Sequence, residues 1–384
     1  MTYEELCSFE VLYKAYLEAR KGKRSKSKTI EYEAQALACT EKLSRKLAVC
    51  NVRKRRMVHA PAFVDKVVLH ALVDNILYDA LTKSFIRDSH ASQTGKGTDD
   101  GLMRLKTHMV DYYRREGHGA DGWVLKGDVR HFFASIDHRK LKRKLKAVLD
   151  KRGVDPRVYE LLCIYIDVME DGLPLGYQTS QLFALMFLDE FDHIIKEKYR
   201  IKYYGRYMDD FYIICSDKKK LQCILRDVRA LMDSYGLELN QKTAIFPLRN
   251  GIDFLGFHSY LTDTGAVIQK LRRDSSKRMK NKIRYWETAY PAGEVTKQEI
   301  LRSFDAWDAH AAHGDTYSLR RKYADRLEKL LDCKIPIHRK INSNKLARDR
   351  RRARQCRCIY KKQHKALSLS VSQNTRPAEI MPWA

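Results

Sequence analysis

Two adjacent carboxylates near the middle of the chain are its strongest chemical signal. Asp209 and Asp210 follow Tyr207 and Met208, and apolar runs lie on both sides of this tetrapeptide. The alternation predicts a β-hairpin with the acids at its turn. Like charges side by side are costly unless a cation neutralises them, so a divalent metal ion is the expected partner. An Asp-Asp pair alone is more often a solvated turn, so its context decides.

A third carboxylate lies in a similar setting upstream. Residues 124–127 predict a strand that ends at Asp128. Three carboxylates on neighbouring strand ends can hold two Mg²⁺ ions about 3.5–4 Å apart, which is the arrangement used for in-line nucleotidyl transfer. The acids therefore predict a site for two Mg²⁺ ions, with Mn²⁺ as the alternative metal.

The composition predicts a basic protein with a polyanionic partner. The formal net charge of the 384 residues is +26, far beyond what solubility requires. The 22 tyrosines suit stacking on bases and sugars. We expect no membrane partner, because no run of 18 apolar residues occurs and the N-terminus is unlike a signal peptide. Nine scattered cysteines are expected to be reduced thiols without a metal role, as in a cytoplasmic protein.

Helical periodicity surrounds the region of the three acids. We expect helices at about 29–47, 63–82 and 100–116, and three more after residue 270. The buried face of the second is expected to consist of Val64, Val68, Leu72 and Ile76. Thr296 and Glu299 have the spacing of a capping box at the start of a later helix.

These motifs together resemble the palm of bacterial, non-retroviral reverse transcriptases. The similarity is greatest to enzymes of diversity-generating retroelements and to related prophage-borne or anti-phage defence enzymes. The resemblance covers about residues 50–335 and implies an α+β right-hand polymerase fold with fingers, an antiparallel-sheet palm and a helical thumb. It divides the chain into an N-terminal helical basic extension at 1–50, fingers at 51–120, palm at 121–260, thumb at 261–340 and a basic C-terminal tail at 341–384.

Residues 126–137 resemble the family's first palm motif. The resemblance implies that Asp128 and the backbone of Val129 bind metal, and that Arg130 and His131 lie near the triphosphate of the dNTP. Phe133 matches the steric gate, whose ring occupies the space that a ribose 2′-hydroxyl would need. The alternative for Phe133 is plain core packing.

Residues 172–181 resemble the second palm motif, in the Leu-Gly…Ser-Gln form that is typical of diversity-generating enzymes. Its Gly-containing turn and helix start would lie against the nascent base pair, with Gln181 on the dNTP side. In the third motif, Asp209 is the firmer metal ligand and Asp210 the supporting one, while Tyr207 and Met208 would contact primer and template.

Three further segments resemble primer- and template-binding parts of the family. Lys242 matches a general acid that protonates the leaving pyrophosphate, although a lone loop lysine is ordinarily just solvated. Lys96 lies in a loop that would follow the template backbone. The residues assigned to the primer grip and to the thumb's nucleic-acid face are Phe254, Leu255, Gly256, Lys280 and Arg284.

A basic strand at residues 52–58 corresponds to the part of the fingers that grips the triphosphate. Lys54 and Arg56 share one face of an alternating strand, and Arg53 and Arg55 share the other. The sequence does not decide which pair faces the site, and we assign Lys54 and Arg56 to the dNTP. Lys66 stands where the family usually has arginine, which removes the geometry needed for a bidentate contact.

The basic tail is the candidate anchor for a structured RNA. Residues 345–365 contain ten Lys or Arg and a single acid, and the alternative is a solvated tail. The arginines assigned to RNA are Arg350, Arg351, Arg352 and Arg354.

The resemblance as a whole implies an RNA-directed DNA polymerase. It would copy a dedicated structured noncoding or template RNA from a primer into cDNA with dNTPs, in a retroelement or an anti-phage defence system. The expected location is the bacterial cytoplasm, and the gene is expected to be bacterial or carried by a phage or prophage. A small accessory protein or a second copy of the chain, in a homo-oligomer, is the expected further partner. The alternatives are a catalytically silent RNA-binding scaffold and an RNA-directed RNA polymerase, and Phe133 argues against the latter.

Overall fold

The computed structural model describes residues 3–21, 27–48, 61–116 and 121–339. The predicted basic strand at 52–58, with Lys54 and Arg56, and the basic tail, with Arg350, Arg351, Arg352 and Arg354, lie outside these residues.

Helices occupy most of the described chain. They are α1 (Tyr3–Leu6), α2 (Phe9–Ala19), α3 (Ser27–Ala34), α4 (Ala36–Ala48), α5 (Phe63–Leu72), α6 (Tyr78–Thr82), α7 (Thr98–Arg115), α8 (His138–Lys151), α9 (Pro156–Ile166), α10 (Gln178–Phe187), α11 (Asp189–His193), α12 (Lys218–Tyr235), α13 (Arg273–Ala289), α14 (Lys297–Ala311) and α15 (Tyr317–Leu331). A π-helical turn, Val73–Leu77, joins α5 to α6, and another, Ile194–Lys198, continues α11.

The strands form two antiparallel sheets. They are β1 (Trp123–Gly127), β2 (Tyr203–Tyr207), β3 (Asp210–Cys215), β4 (Ala244–Pro247), β5 (Ile252–Phe254), β6 (Phe257–Leu261) and β7 (Val267–Leu271). The order of the larger sheet is β2-β3-β1-β4, and that of the smaller sheet is β5-β6-β7. The larger sheet brings together strands that are far apart in sequence, since β1 pairs with both β3 and β4.

The chain divides into two compact units. Of the described residues, the first unit comprises those up to Ser92 and those within 104–269, and the second comprises Gln93–Met103 and 270–339. The predicted boundary at 260 stays a prediction; the two compact units divide at residues 269 and 270, so that β6 and most of β7 belong to the first unit. Described residues of the predicted extension, fingers and palm share one hydrophobic core. Phe63, for example, packs on Tyr32 of α3 with ring centroids 5.0 Å apart.

The helix predictions are confirmed with local corrections. Helical structure is continuous over 63–82, but Val64 is 40% exposed, so its assignment to the buried face is wrong. The helix expected at 29–47 is interrupted at Gln35. No helix among the described residues is long and apolar enough to span a membrane.

The second unit contains the three helices expected after residue 270. Met279, Ile283 and Trp286 of α13 are buried against α14 and α15. The capping box at Thr296 and Glu299 is confirmed, with both reciprocal hydrogen bonds present at the start of α14. A helical unit with its own core therefore follows the sheets, and its assignment as a thumb stays a prediction.

Candidate active site

The β2–β3 hairpin places two acids at the end of the larger sheet. Tyr207 pairs with Asp210, so Met208 and Asp209 form the two-residue turn. Met208 has a positive φ of 56°, which is unusual for a residue with a side chain. The predicted hairpin is confirmed, with Asp209 at its turn and Asp210 as the first residue of β3.

Strand β1 brings Asp128 to the same edge. Gly127 lies opposite Phe211, and a Cβ atom at Gly127 would lie only 2.2 Å from the Phe211 ring. Glycine is required there, because the strand before Asp128 and the residue after Asp210 approach too closely for a side chain. Burial raises the pKa of Asp209, and the charge of nearby Asp128 raises it further. The two carboxylates therefore interact.

Asp210 has a different partner. Its carboxylate forms an ion pair with the ammonium group of Lys126 on β1. No group of three His, Cys, Asp or Glu side chains among the described residues is arranged to hold a metal ion. The prediction that all three acids bind metal stays a prediction; in this structure Lys126 neutralises Asp210.

The remaining donors still fit magnesium. Proteins commonly bind Mg²⁺ through one or two carboxylates and leave its other positions to water and substrate phosphates. Asp128 and Asp209 supply two such carboxylates, and their mutual repulsion is what a cation would relieve. The chemistry of these donors therefore suits the expected metal, with Asp210 as a supporting charge.

The chain segment after α12 fixes the position of Asp128. Gly236 ends α12 in the left-handed conformation and turns the chain back towards the sheet. The amide of Asn240 then donates to the carbonyl of Asp128 (2.7 Å), and the amide of Arg130 donates to that of Glu238 (2.8 Å). This bridge between Val129 and Leu239 leaves the Val129 carbonyl outside the pairing, as a backbone metal ligand would require.

The turn after Asp128 packs on the glycine-containing loop before α10. Phe133 lies half-buried in a short 3₁₀ helix, Phe132–Ser135, and its carbonyl accepts a hydrogen bond from the amide of Leu173 (2.7 Å). A Cβ atom at Gly172 would lie 2.5 Å from that carbonyl oxygen. The two predicted motifs are therefore in direct contact.

Residues 45–259, more than half of the chain, match the family described as reverse transcriptase (RNA-dependent DNA polymerase). The chain belongs to this reverse transcriptase family. The family-level prediction from the sequence is thus confirmed, and the helices and antiparallel sheets of the structure fit the right-hand polymerase fold that it implied.

Individual relatives are distant. Protein YkfC of Escherichia coli (strain K12) is 25% identical over 248 residues, which are 53% of this chain and 62% of that protein. Among solved structures, telomerase from Candida albicans in complex with a fragment of telomeric RNA has a TM-score of 0.46 and 14% identity, over 82% of this chain and 52% of that one. Apo telomerase from Candida tropicalis has a TM-score of 0.43 and 14% identity, over 70% and 52%. The family assignment rests on the sequence match.

Other residues predicted from the family motifs have mixed placements. Gln181 is exposed on α10, and its side-chain oxygen accepts a hydrogen bond from Ser92 (2.7 Å). Arg130 is paired with Glu238 (3.1 Å) and, with His131, lines a cavity of about 370 Å³ beside the end of α12. Lys242 is exposed in the turn before β4.

The expected primer-grip segment is a β-hairpin, as predicted. Leu255 and Gly256 form its two-residue turn, both with positive φ, which is typical of tight hairpins. Phe254 is buried against Tyr212, with ring centroids 5.1 Å apart, and Lys126 lies 5.6 Å from the Phe254 ring. Phe254 therefore supports the hairpin, and the half-exposed turn is the part that nucleic acid could contact.

The remaining predicted site residues lie in the second unit. They are Lys96 and the exposed Lys280 and Arg284 of α13. A cavity of about 1230 Å³ in this unit is bordered by several cations from α13 and its surroundings. The exposed cations among them are Lys270, Arg273, Lys277, Lys280 and Arg339.

Sequence reasoning missed a buried polar network behind the hairpin. Arg206, next to Tyr207, is 1% exposed and forms an ion pair with the fully buried Asp192. Burial acts to lower the pKa of Arg206, but the facing carboxylate outweighs it and the net pKa is raised. The available signal was a charged residue inside an otherwise apolar strand.

Proposed function

We propose that the protein is an RNA-directed DNA polymerase that transfers nucleotides by a two-metal mechanism. The observation that carries the proposal is the convergence of Asp128 and Asp209 at one sheet edge, where burial and mutual charge raise the pKa of Asp209. Membership of the reverse transcriptase family sets the reaction class.

The chain's own residues have separable roles in this proposal. Bound Mg²⁺ ions would supply the charge that aligns the primer 3′-hydroxyl and the triphosphate. Asp128 and Asp209 hold that charge in place, with the Val129 carbonyl as a third oxygen. Lys126 neutralises the charge of Asp210, which has a supporting role in the site. Lys242, exposed beside the site, is the proposed donor of a proton to pyrophosphate.

Phe133 is proposed to select deoxyribonucleotides. Its partly buried ring follows Asp128 by one short turn, and its backbone is held by the loop at Gly172. A ring held from behind can exclude a 2′-hydroxyl by steric contact, and this favours a DNA product over an RNA product.

The proposed template is a structured noncoding or template RNA. The net charge of +26 and the cations around the cavity in the second unit support a polyanionic partner. The Leu-Gly…Ser-Gln motif at 175–181 supports a setting in a retroelement or a related defence system. Sequencing of RNA and cDNA that copurify with the protein would identify the template.

Primer extension on an RNA template tests the reaction itself. The wild-type protein should incorporate dNTPs only when Mg²⁺ or Mn²⁺ is present, and Asp209→Ala should abolish incorporation while RNA binding and the melting temperature persist. Asp263→Ala removes an exposed acid at the β6–β7 turn of the same unit and serves as the matched control. Extension by Asp209→Ala at the wild-type rate would refute the metal assignment, and a wild-type protein without any incorporation would refute the activity.

A further inference from the structure

Arg206, the buried arginine behind the β2–β3 hairpin, makes directed hydrogen bonds that packing alone does not require. The guanidinium of Arg206 donates to both carboxylate oxygens of Asp192, from Nε (2.7 Å) and from Nη2 (2.5 Å). The hydroxyl of Tyr204 donates to the same carboxylate. Asp192 comes from α11, which begins two residues after α10 ends. The paired fork thus anchors the arginine to the helices behind the sheet.

The third contact of Arg206 reaches the turn that carries the metal-binding acid. Its Nη1 donates to the backbone carbonyl of Met208 (2.6 Å). That carbonyl belongs to the peptide bond between Met208 and Asp209. Met208 holds the left-handed φ of 56°, which costs conformational energy for any residue with a side chain. A turn in this conformation needs support from its surroundings, and the guanidinium supplies it.

The backbone of Arg206 is held as well. Its amide donates to the carbonyl of Asp88, and its carbonyl accepts from the amide of His90, both at 2.9 Å. The side chain of Asp88 is in turn paired with Arg104 and Lys196, each at 2.5 Å. Asp88, His90 and Asp192 therefore hold Arg206 in place, and its remaining contact is the one with the turn.

We propose that Arg206, clamped by Asp192, is a positioning residue that sets the Met208–Asp209 peptide and thereby aims the Asp209 carboxylate at a divalent metal ion. This inference rests on the proposed function, because it concerns the same metal site. Lysine could keep the charge but not the planar fork that binds Asp192 and the turn together. Residues that orient a metal ligand typically change metal affinity by about 10–100-fold when they are removed.

The first test measures metal binding without any substrate. Mn²⁺ is titrated into the full-length protein and free Mn²⁺ is followed by electron paramagnetic resonance. Arg206→Lys should weaken binding by about 10-fold or more, and the Mg²⁺ concentration for half-maximal primer extension should rise by a similar factor. Asp192→Asn should shift both quantities in the same direction, since it loosens the clamp without touching the turn.

A matched control separates positioning from general stability. Arg320 is an equally buried arginine, 1% exposed, that pairs with Asp308 in the second unit. Arg320→Lys should lower the melting temperature about as much as Arg206→Lys does, yet leave Mn²⁺ affinity unchanged. If Arg206→Lys does not fold, Asp192→Asn carries the test against the same control.

The outcomes distinguish this inference from the proposed function. Wild-type Mn²⁺ affinity in a folded Arg206→Lys or Asp192→Asn protein, with wild-type polymerisation intact, overturns the positioning role alone. Equal loss of affinity in Arg320→Lys overturns it too, since the effect would then be one of stability. A wild-type protein that neither binds Mn²⁺ nor extends primers overturns both proposals.

Discussion

The side-chain amide of Asn240 donates a hydrogen bond to the carboxylate of Asp128, with 3.2 Å between nitrogen and oxygen. The backbone amide of Asn240 also donates to the Asp128 carbonyl, so one residue holds the acid at two points. A carboxylate with one oxygen held in this way keeps the other free in a defined direction, so we expect Asn240 to prepare Asp128 for a cation.

Asn240→Ala should therefore impair metal use more than folding. We expect kcat to fall by about 10–100-fold and the Mg²⁺ requirement to rise, because the Asp128 carboxylate loses its orienting contact. Steady-state primer extension across an Mg²⁺ series measures both effects. Gln241→Ala, at the exposed neighbour, is the control and should behave as wild type. Equal Mg²⁺ curves for the two variants would contradict the role of Asn240.

Phe133→Ala should relax sugar selection. Removal of the ring opens the space for a 2′-hydroxyl, so kcat/KM for rNTPs should rise relative to dNTPs. Phe132 is the natural control, because it is adjacent, 2% exposed and part of the core. Phe132→Ala should cost about 3–5 kcal/mol of stability without altering the dNTP-to-rNTP ratio. An unchanged ratio in Phe133→Ala would favour core packing and the RNA-polymerase alternative.

Gly172→Ala should disturb the active site through the backbone. Gly172 has a φ of 70°, and an added Cβ would collide with the Phe133 carbonyl. Gly153 has a similar φ of 62° but open space around its Cβ position. Gly153→Ala should cost only the left-handed strain of about 1–2 kcal/mol, whereas Gly172→Ala should cost more and also raise the KM for dNTPs. Urea unfolding and steady-state kinetics on both variants would expose the difference, and equal values would rule out the collision.

Stability should fall between pH 6.5 and about 3 because of His108. Burial lowers the pKa of His108 from 6.5 to about 3, against the opposing charge of Asp88. The unfolded chain then binds a proton in this window that the folded protein excludes, so the stability present above pH 6.5 is lost as the pH falls. The slope is at most about 1.4 kcal/mol per pH unit.

The Tyr212 hydroxyl lies 3.0 Å from a ring nitrogen of His108. The substitution His108→Asn keeps an amide near that hydroxyl and removes the titrating group. His108→Asn should flatten the pH dependence of urea unfolding in that window. A wild-type slope in His108→Asn would exclude this residue as the source.

The basic tail remains a prediction from the sequence, and its test is salt dependence. Replacement of Arg350, Arg351, Arg352 and Arg354 by Gln should weaken RNA binding and flatten its salt slope, by up to about 0.7–0.9 for each lost phosphate contact. Removal of four cations from α12, at Lys218, Lys219, Arg226 and Arg229, controls for net charge. RNA affinity and salt slope that match in the two variants would refute a dedicated anchor.

The local parts of the site were readable from the sequence. Period-two alternation and a two-residue turn suffice to place Asp209 at a hairpin tip, and the spacing of Thr296 and Glu299 suffices for a capping box, because both depend on neighbours within a few residues. The family motifs supplied the order of the remaining segments. The burial of individual side chains was predicted less reliably. Val64 fits the helical pattern but is exposed, because neighbouring elements decide which helix face is covered.

Long-range pairing was decided only by the tertiary structure. No local pattern connects Lys126 to Asp210 or Asn240 to Asp128, because those contacts require β1 to lie beside β3 and the chain after α12 to return to the sheet. The clamp of Arg206 by Asp192 likewise joins a strand to a separate helix. The sequence alone therefore predicted which acids would do the chemistry. The tertiary structure determined which neutral, basic and acidic side chains surround and contact that region, because a hydrogen bond depends on distance in space and not on separation along the chain.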